Sequence, residues 1–213
     1  MTFSSCLTEE DSHLVLDSSV VINLLATGQP AAILRALAMP AVVTDNVVRE
    51  IKRGAMSGRP EVNLLNDLIS NKIVREGQLD GQPLQMFFEL VSGSASESLG
   101  DGEAATLAFA SSNCGFAVID EKKATRLSAN RFGSLRLATT IDILAHDAVR
   151  SALGHATLAE ATIQALRLAR MQVREHQFDW VVDLIGAENV AACPSLNRLA
   201  THRAKRSQEK IAS

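Results

Sequence analysis

Five acidic residues stand at the edges of short apolar runs: Asp17 in LVLDSSVVINLL, Glu50 in AVVTDNVVRE, Asp101 and Glu103 in LGDGEAATLAFA, and Asp120 in FAVIDEKKA. A carboxylate at the end of a buried parallel strand points into the crevice where open α/β sheets hold their ligands. Several carboxylates converging there repel one another and have raised pKa values unless a cation shares the site. The chemistry implied is a divalent-cation site built from oxygen ligands. Each acid also has a plainer role: Asp17 as a helix N-cap, Glu50 as a solvated helix face, and one of Asp101 and Glu103 as a first-turn acid favoured by the helix dipole. A second carboxylate one step into a helix as apolar as EAATLAFASS is hard to account for without a ligand. Asp120 ends its run just as Asp17 ends its own.

The elements that must position these acids follow from the apolar pattern. His13–Leu16 (HLVL) predicts a strand ending at Asp17, after which Ser18 or Ser19 caps a helix carrying Val20, Val21, Leu24 and Leu25 on its apolar face. Pro30 opens a second helix, AAILRALA. Ala41–Val43 predicts a strand, and Thr44 or Asp45 caps a helix reaching Arg53, with Gly54, Gly58 and Pro60 marking a loop. A helix over Val62–Ile69, a strand over Lys72–Val74, a helix over Pro83–Val91 and the polar loop SGSASES come next. Gly102–Ser112 reads as a buried helix, Phe116–Ile119 as a strand, Glu121–Asn130 as a helix, Leu135–Leu137 as a last strand and Thr140–Ala152 as a helix. Such alternation predicts an α/β fold, a parallel sheet of about four to five strands covered by helices on both faces.

Beyond Gly154 the pattern turns helical: Thr157-x-x-Glu160 is a capping-box signal for a helix reaching Arg174, and Phe178–Ile185 predicts another. From Arg198 the chain is basic and polar and is expected to fray. The organisation expected is an N-terminal tail (1–12), an α/β domain (13–154) and a helical C-terminal extension with a basic tail (155–213).

Composition bounds the function. With 213 residues, 46% hydrophobic and 21% charged, the chain can bury a sizeable core. A net charge of −3 makes no global positive field, so any nucleic acid must be met by local patches. Candidates are Lys52 and Arg53 beside Glu50, then Lys122, Lys123 and Arg126 after Asp120, with Arg131 and Arg136 beyond; such contacts position a backbone without reading its sequence. Trp180 is the only tryptophan and tyrosine is absent, which weighs against a base-stacking surface. Cys6, Cys114 and Cys193 are scattered and the five histidines lack ligand spacing, which weighs against a disulfide framework and a zinc site. The N-terminus lacks a signal-peptide layout and no apolar run reaches the roughly 18–20 residues of a membrane span, so a cytoplasmic protein without a membrane is expected.

The order and setting of the acids, with SSVVINLL after Asp17, VVTDNVVREIKR around Glu50, the GEAATLAFA helix, and IDEKKATRL followed by LRLATTIDILAHDAVRSALG, resemble the PIN-domain nucleases. The nearest likeness is to the VapC-like toxin branch, whose members carry a G-E-x-x-x-x-x-A segment. The resemblance covers residues 13–155. It implies a PIN-like fold and a metal-dependent endoribonuclease that binds one or two Mg²⁺ or Mn²⁺ ions through four acids and hydrolyses RNA phosphodiesters. Asp17 takes the place of the first acid, Glu50 the second, Glu103 the third and Asp120 the fourth. Glu103 stands where an aspartate is common, with Asp101 as its neighbour or substitute and the expected helix cap; Glu121 adjoins Asp120 as an alternative ligand. Ser19 is a candidate to orient a carboxylate or a water, and Asp142 is a weaker candidate for the same crevice, with helix capping as its plainer role.

The resemblance further implies the toxin half of a type II toxin–antitoxin pair, whose antitoxin would block the acidic crevice or donate a basic side chain to it. The apolar helices after Leu24 and around Ile163–Leu168 are candidates for a homodimer face. The alternative is a PIN-fold interaction or regulatory module without turnover. A haloacid-dehalogenase-like phosphatase is disfavoured because Ser19 stands where a D-x-D strand end needs its second aspartate. No glycine-rich phosphate loop follows any strand.

Overall fold

The structure, a computed structural model, describes residues 3–7, 13–55, 61–92, 98–133 and 135–212. Five short strands form one parallel sheet: β1 (Leu14–Leu16), β2 (Ala41–Thr44), β3 (Val74–Gly77), β4 (Phe116–Val118) and β5 (Arg136–Ala138). Their order is β3-β2-β1-β4-β5. From β1 the chain builds outward through β2 and β3, then returns to add β4 and β5 on the other side. The switch point of the sheet therefore falls between β1 and β4, where open α/β sheets place ligands. The register sets Leu16 beside Val118. The Asp17 amide donates to the Val118 carbonyl at 3.1 Å, which brings the two strand ends level.

Successive side chains of a strand face opposite ways. Leu14 and Leu16 of β1 join Phe116 and Val118 of β4 in one core cluster, while Val15, Ala117 and Ile119 join a second. Both faces are buried, which is why these strands read as unbroken apolar runs. The helices are α1 (Ser18–Ala26), α2 (Pro30–Ala36), α3 (Asp45–Ala55), α4 (Glu61–Ser70), α5 (Gly81–Val91), α6 (Asp101–Ser112), α7 (Lys122–Arg131), α8 (Thr140–Ala145), α9 (Asp147–Leu168), α10 (Phe178–Ile185) and α11 (Pro194–Ala212). On one side α1, α2, α8, α10 and α11 pack against α9; on the other, α5 and α7 pack against α6. The small residues Ala104, Ala105, Ala108 and Ala110 of α6 are fully buried and let this helix lie close to β1, β2 and β4. Leu107 fills the remaining space with no exposure, so Leu107→Ala should cost about 2–5 kcal/mol.

The parallel α/β architecture matches the expectation, and several element limits shift for local reasons. The third strand starts at Val74 rather than Lys72, because Lys72 has φ 56° and ends α4, its amide donating to Ile69 O. The helix expected over Thr140–Ala152 breaks at His146, whose backbone is extended and whose Nδ1 accepts from the Ala148 amide to cap α9. Gly154, at φ 71° and ψ 164°, interrupts α9 where only glycine is comfortable. Thr157 and Glu160 consequently lie inside the resumed helix, which ends at Leu168 rather than near Arg174.

The basic tail is not frayed as expected: Pro194–Ala212 is helical. Arg203 of α11 donates to Glu175 and Asp179 and lies over the Phe178 ring at 4.4 Å from its centroid, bonds that local composition does not announce. Leu24 and Leu25 face the chain's own core, whereas Leu168 is 70% exposed. Among the described residues no disulfide joins the three cysteines. No described helix is long and apolar enough to cross a membrane. Gly58, Pro60, most of SGSASES and most of the N-terminal twelve residues lie outside the described residues.

Candidate active site

Asp17 leaves β1 with extended backbone (φ −73°, ψ 161°) and is the N-cap of α1, the plainer role expected of it, in place of Ser18 or Ser19. Its Oδ2 accepts from the Ser19 amide at 3.2 Å and the Ser19 hydroxyl at 2.7 Å. The side chain is 2% exposed, and its Oδ1 is buried without a hydrogen-bond partner. One oxygen therefore holds the helix, and the other is left without a partner close to Gly102. Burial raises the carboxyl pKa, against the lowering effect of the Ser19 and Ser18 hydrogen bonds. A buried unpaired acceptor costs about 1–3 kcal/mol, a cost a bound cation removes.

Asp120 follows β4 and is 3% exposed. Its Oδ1 accepts from the Thr140 amide at 2.9 Å; its Oδ2 accepts from the Thr140 hydroxyl and from Asn23 Nδ2, each at 2.6 Å. Burial still raises its pKa over these bonds. A carboxylate has about four acceptor sites, so three donors leave it room for a further partner.

Glu50 comes from α3 and Glu103 from α6, and these helices meet at Gly102. A Cβ on Gly102 would collide with Glu50 Oε2 and sit 3.3 Å from Asp17 Oδ1. The missing side chain is what lets the two carboxylates approach. Burial and then the Asp17 charge raise the Glu50 pKa. Glu103 Oε2 accepts from the Gly100 amide at 3.2 Å, so it is Glu103 rather than Asp101 that ties back the start of α6. Burial, then Asp17, push the Glu103 carboxyl up to about 7.

A cavity of about 930 Å³ opens at the switch point, lined by Asp17, Glu50, Glu103, Asp120 and Glu121 among others. The four acids expected as ligands thus come together, with Glu121 beside Asp120. Asp101 is not in the lining; it is exposed at the rim, 4.0 Å from Arg53. Asp142 lies outside it as well: its Oδ2 accepts from the Thr139 amide and hydroxyl at 2.8 and 2.6 Å, capping α8. None of the seven basic candidates lines the cavity. Lys123 Nζ donates to Ser98 O at 2.7 Å. Arg136 donates to Cys114 O and covers Phe116 at the opposite end of the strands.

Residues the sequence did not single out complete the site. Asn23 and Thr140 hold Asp120, and Glu61 brings a further carboxyl whose Oε2 is buried without a partner. Asn23 had a readable signal, a polar residue on the buried face of α1 between Val20 and Leu24. The far wall is Leu168–Gln172, from the turn after α9. Arg174 ties this segment down, its Nη2 donating to Asp120 O at 3.1 Å and Thr125 Oγ1 at 2.8 Å.

An all-oxygen donor set, an orphaned buried Oδ1 and the space left by Gly102 fit a hard divalent cation. Among the described residues no three His, Cys, Asp or Glu side chains close around a point as they stand. The fit is to a small ion that keeps part of its water shell rather than to a tight protein cage.

A family model described as a PIN domain matches residues 13–187, well over half of the chain and past the boundary expected at 154. No curated protein and no solved structure gives a significant match.

Proposed function

The chain belongs to the PIN-domain family, and from that premise we propose that it is a Mg²⁺- or Mn²⁺-dependent endoribonuclease with Asp17, Glu50, Glu103 and Asp120 as its acidic site. PIN domains are generally nucleases, so a nucleic-acid substrate is the starting point. The observation that carries the site assignment is Asp17: one oxygen caps α1 and the other is buried and unpartnered, in a residue that lines a cavity with five more carboxyls. When bound, a divalent ion there supplies charge stabilisation to a phosphate and lowers the pKa of a water.

The chain's own residues do the rest. Ser19 fixes the Asp17 carboxylate, and Asn23 with Thr140 fixes that of Asp120, so neither must reorganise when substrate arrives. Asp101 is left as a rim acid and Glu121 as the neighbour of the fourth ligand. Ile22, Leu168 and Met171 line the same cavity and give it apolar walls that limit water.

The reading extends to the toxin half of a type II toxin–antitoxin pair, with an antitoxin covering the acidic cavity. A small neighbouring reading frame with a DNA-binding pattern would support it. The PIN fold as an interaction module without turnover is the second reading, favoured by the carboxyls' not closing around a point. Residues 13–154 are taken as the catalytic part and 155–213 as a helical extension that adds a wall to it. Purified protein should cleave RNA with Mg²⁺ or Mn²⁺, and Asp17→Asn or Asp120→Asn should abolish cleavage while the fold persists by circular dichroism. Full activity in excess chelator, or in both variants, would sink the mechanism.

A further inference from the structure

The cavity wall contributed by the turn after α9 carries one cation, Arg170, and the rest of the lining includes six carboxyls. Arg170 sits at φ 55°, the left-handed conformation in which a helix usually ends on glycine because a Cβ is strained there. Glycine would be less strained at this position. The guanidinium is exposed, and among the described residues it makes no ion pair and no side-chain hydrogen bond. The turn beneath it is anchored on both sides. Met171 is 1% exposed, its amide donates to Ala165 O at 3.2 Å, and its carbonyl accepts from the Ser195 hydroxyl at 2.6 Å.

We propose that Arg170 is the substrate-phosphate clamp of this site: it holds the non-bridging oxygens of a phosphodiester in the single strand that enters the acidic cavity. The proposal rests on the nuclease reading and adds the residue that lets a polyanion approach a wall of carboxylates. A guanidinium presents a planar fork that meets two phosphate oxygens at once, and the anchored turn fixes the backbone from which it reaches. A cation at a helix C-terminus also favours the helix dipole. That structural role alone predicts that removing the charge weakens the fold, the reverse of what relief of the left-handed strain predicts.

The test uses the full chain in an Asp17→Asn background that cannot turn over, with a labelled single-stranded RNA oligonucleotide followed by fluorescence anisotropy. Adding Arg170→Gly should weaken binding about tenfold, the worth of one charge-assisted contact. It should also flatten the salt dependence by about 0.7 between about 50 and 200 mM salt. The melting temperature should hold or rise. Arg170→Lys should keep the salt slope and lose part of the affinity. In the otherwise native chain, Arg170→Gly should raise KM and leave kcat nearly unchanged. Equal binding and equal slope with and without Arg170, no binding in either background, or a loss of binding that tracks a lower melting temperature would each overturn the proposal. Binding that depends on Arg170 in a chain that never cleaves RNA would instead overturn the nuclease reading and leave the clamp standing.

Discussion

Asn23 on α1 donates a 2.6 Å hydrogen bond to Oδ2 of Asp120, which stands 97 positions later at the end of β4. The same amide nitrogen reaches Thr140 Oγ1 at 3.3 Å, and Thr140 donates to Asp120 from both its amide and its hydroxyl. Two helices, α1 and α8, thereby hold one buried carboxylate in one orientation. The bond ties the helix begun by the first acid to the strand ended by the fourth, so the two strand ends at the switch point are coupled through side chains as well as backbone.

Asn23→Leu keeps the volume and removes the donor. The Asp120 carboxylate then loses one of the three bonds that offset its burial, and its pKa should rise further. Stability should fall by about 1–3 kcal/mol, the cost of an under-satisfied buried group. Cleavage should fall about tenfold or more, and the acid limb of the pH–rate profile should move to higher pH. An unchanged pH–rate profile in this variant would remove Asn23 from the site.

Gly102→Ala tests the space between Glu50 and Asp17. Alanine is the better helix former by about 0.5–1 kcal/mol, and the atom it meets is the flexible end of Glu50. The metal-free protein should therefore unfold near its native temperature. What should disappear is the rise in melting temperature on adding Mn²⁺, together with cleavage. A variant that retains both would mean that the gap at Gly102 serves packing alone.

The raised carboxyls make stability depend on pH in a stated direction. Glu103 moves from 4.5 to about 7 on folding, so between those values the folded state holds its proton more tightly than the unfolded chain. Its contribution is fully present below about 4.5, declines as pH rises and is lost above about 7. Asp17, Glu50 and Asp120 are raised as well and act in the same direction. The metal-free protein should melt lower at pH 8 than at pH 5. For half-buried Glu103, discounted for solvent screening, the effect is on the order of 1 kcal/mol, or about 2–4 °C for a chain of this size. Mn²⁺ should restore the loss at pH 8 and do little at pH 5. A metal-free melting temperature that climbs over this range would refute the picture of crowded, desolvated acids.

Much of this was legible in the residues. The runs at Leu14–Leu16 and Phe116–Val118 announce central strands because both faces of the sheet are buried, and Asp17 and Asp120 follow them as strand ends must. The small residues of α6 announce close packing. Asn23 and Thr140 escaped because a polar residue on an apolar face can be read from the pattern, but only the fold shows what it bonds. The Leu168–Gln172 wall escaped because its helix ends on Arg170 where a glycine would have marked the turn. The α11 helix escaped because what steadies it, Arg203 on Glu175, Asp179 and Phe178, is tertiary.

The bond from Arg174 to the carbonyl of Asp120 has a practical meaning for anyone dissecting this chain. A fragment ending with the last strand and its helix, near the interruption at Gly154, would contain every acid yet leave the fourth one's backbone untethered and one side of the cavity open. Expression of that fragment should give a sheet that binds cations poorly and releases substrate early. The smallest unit expected to work should run through the turn at Arg170 and its anchor at Ser195, so deletion series and fusion joints belong beyond that point.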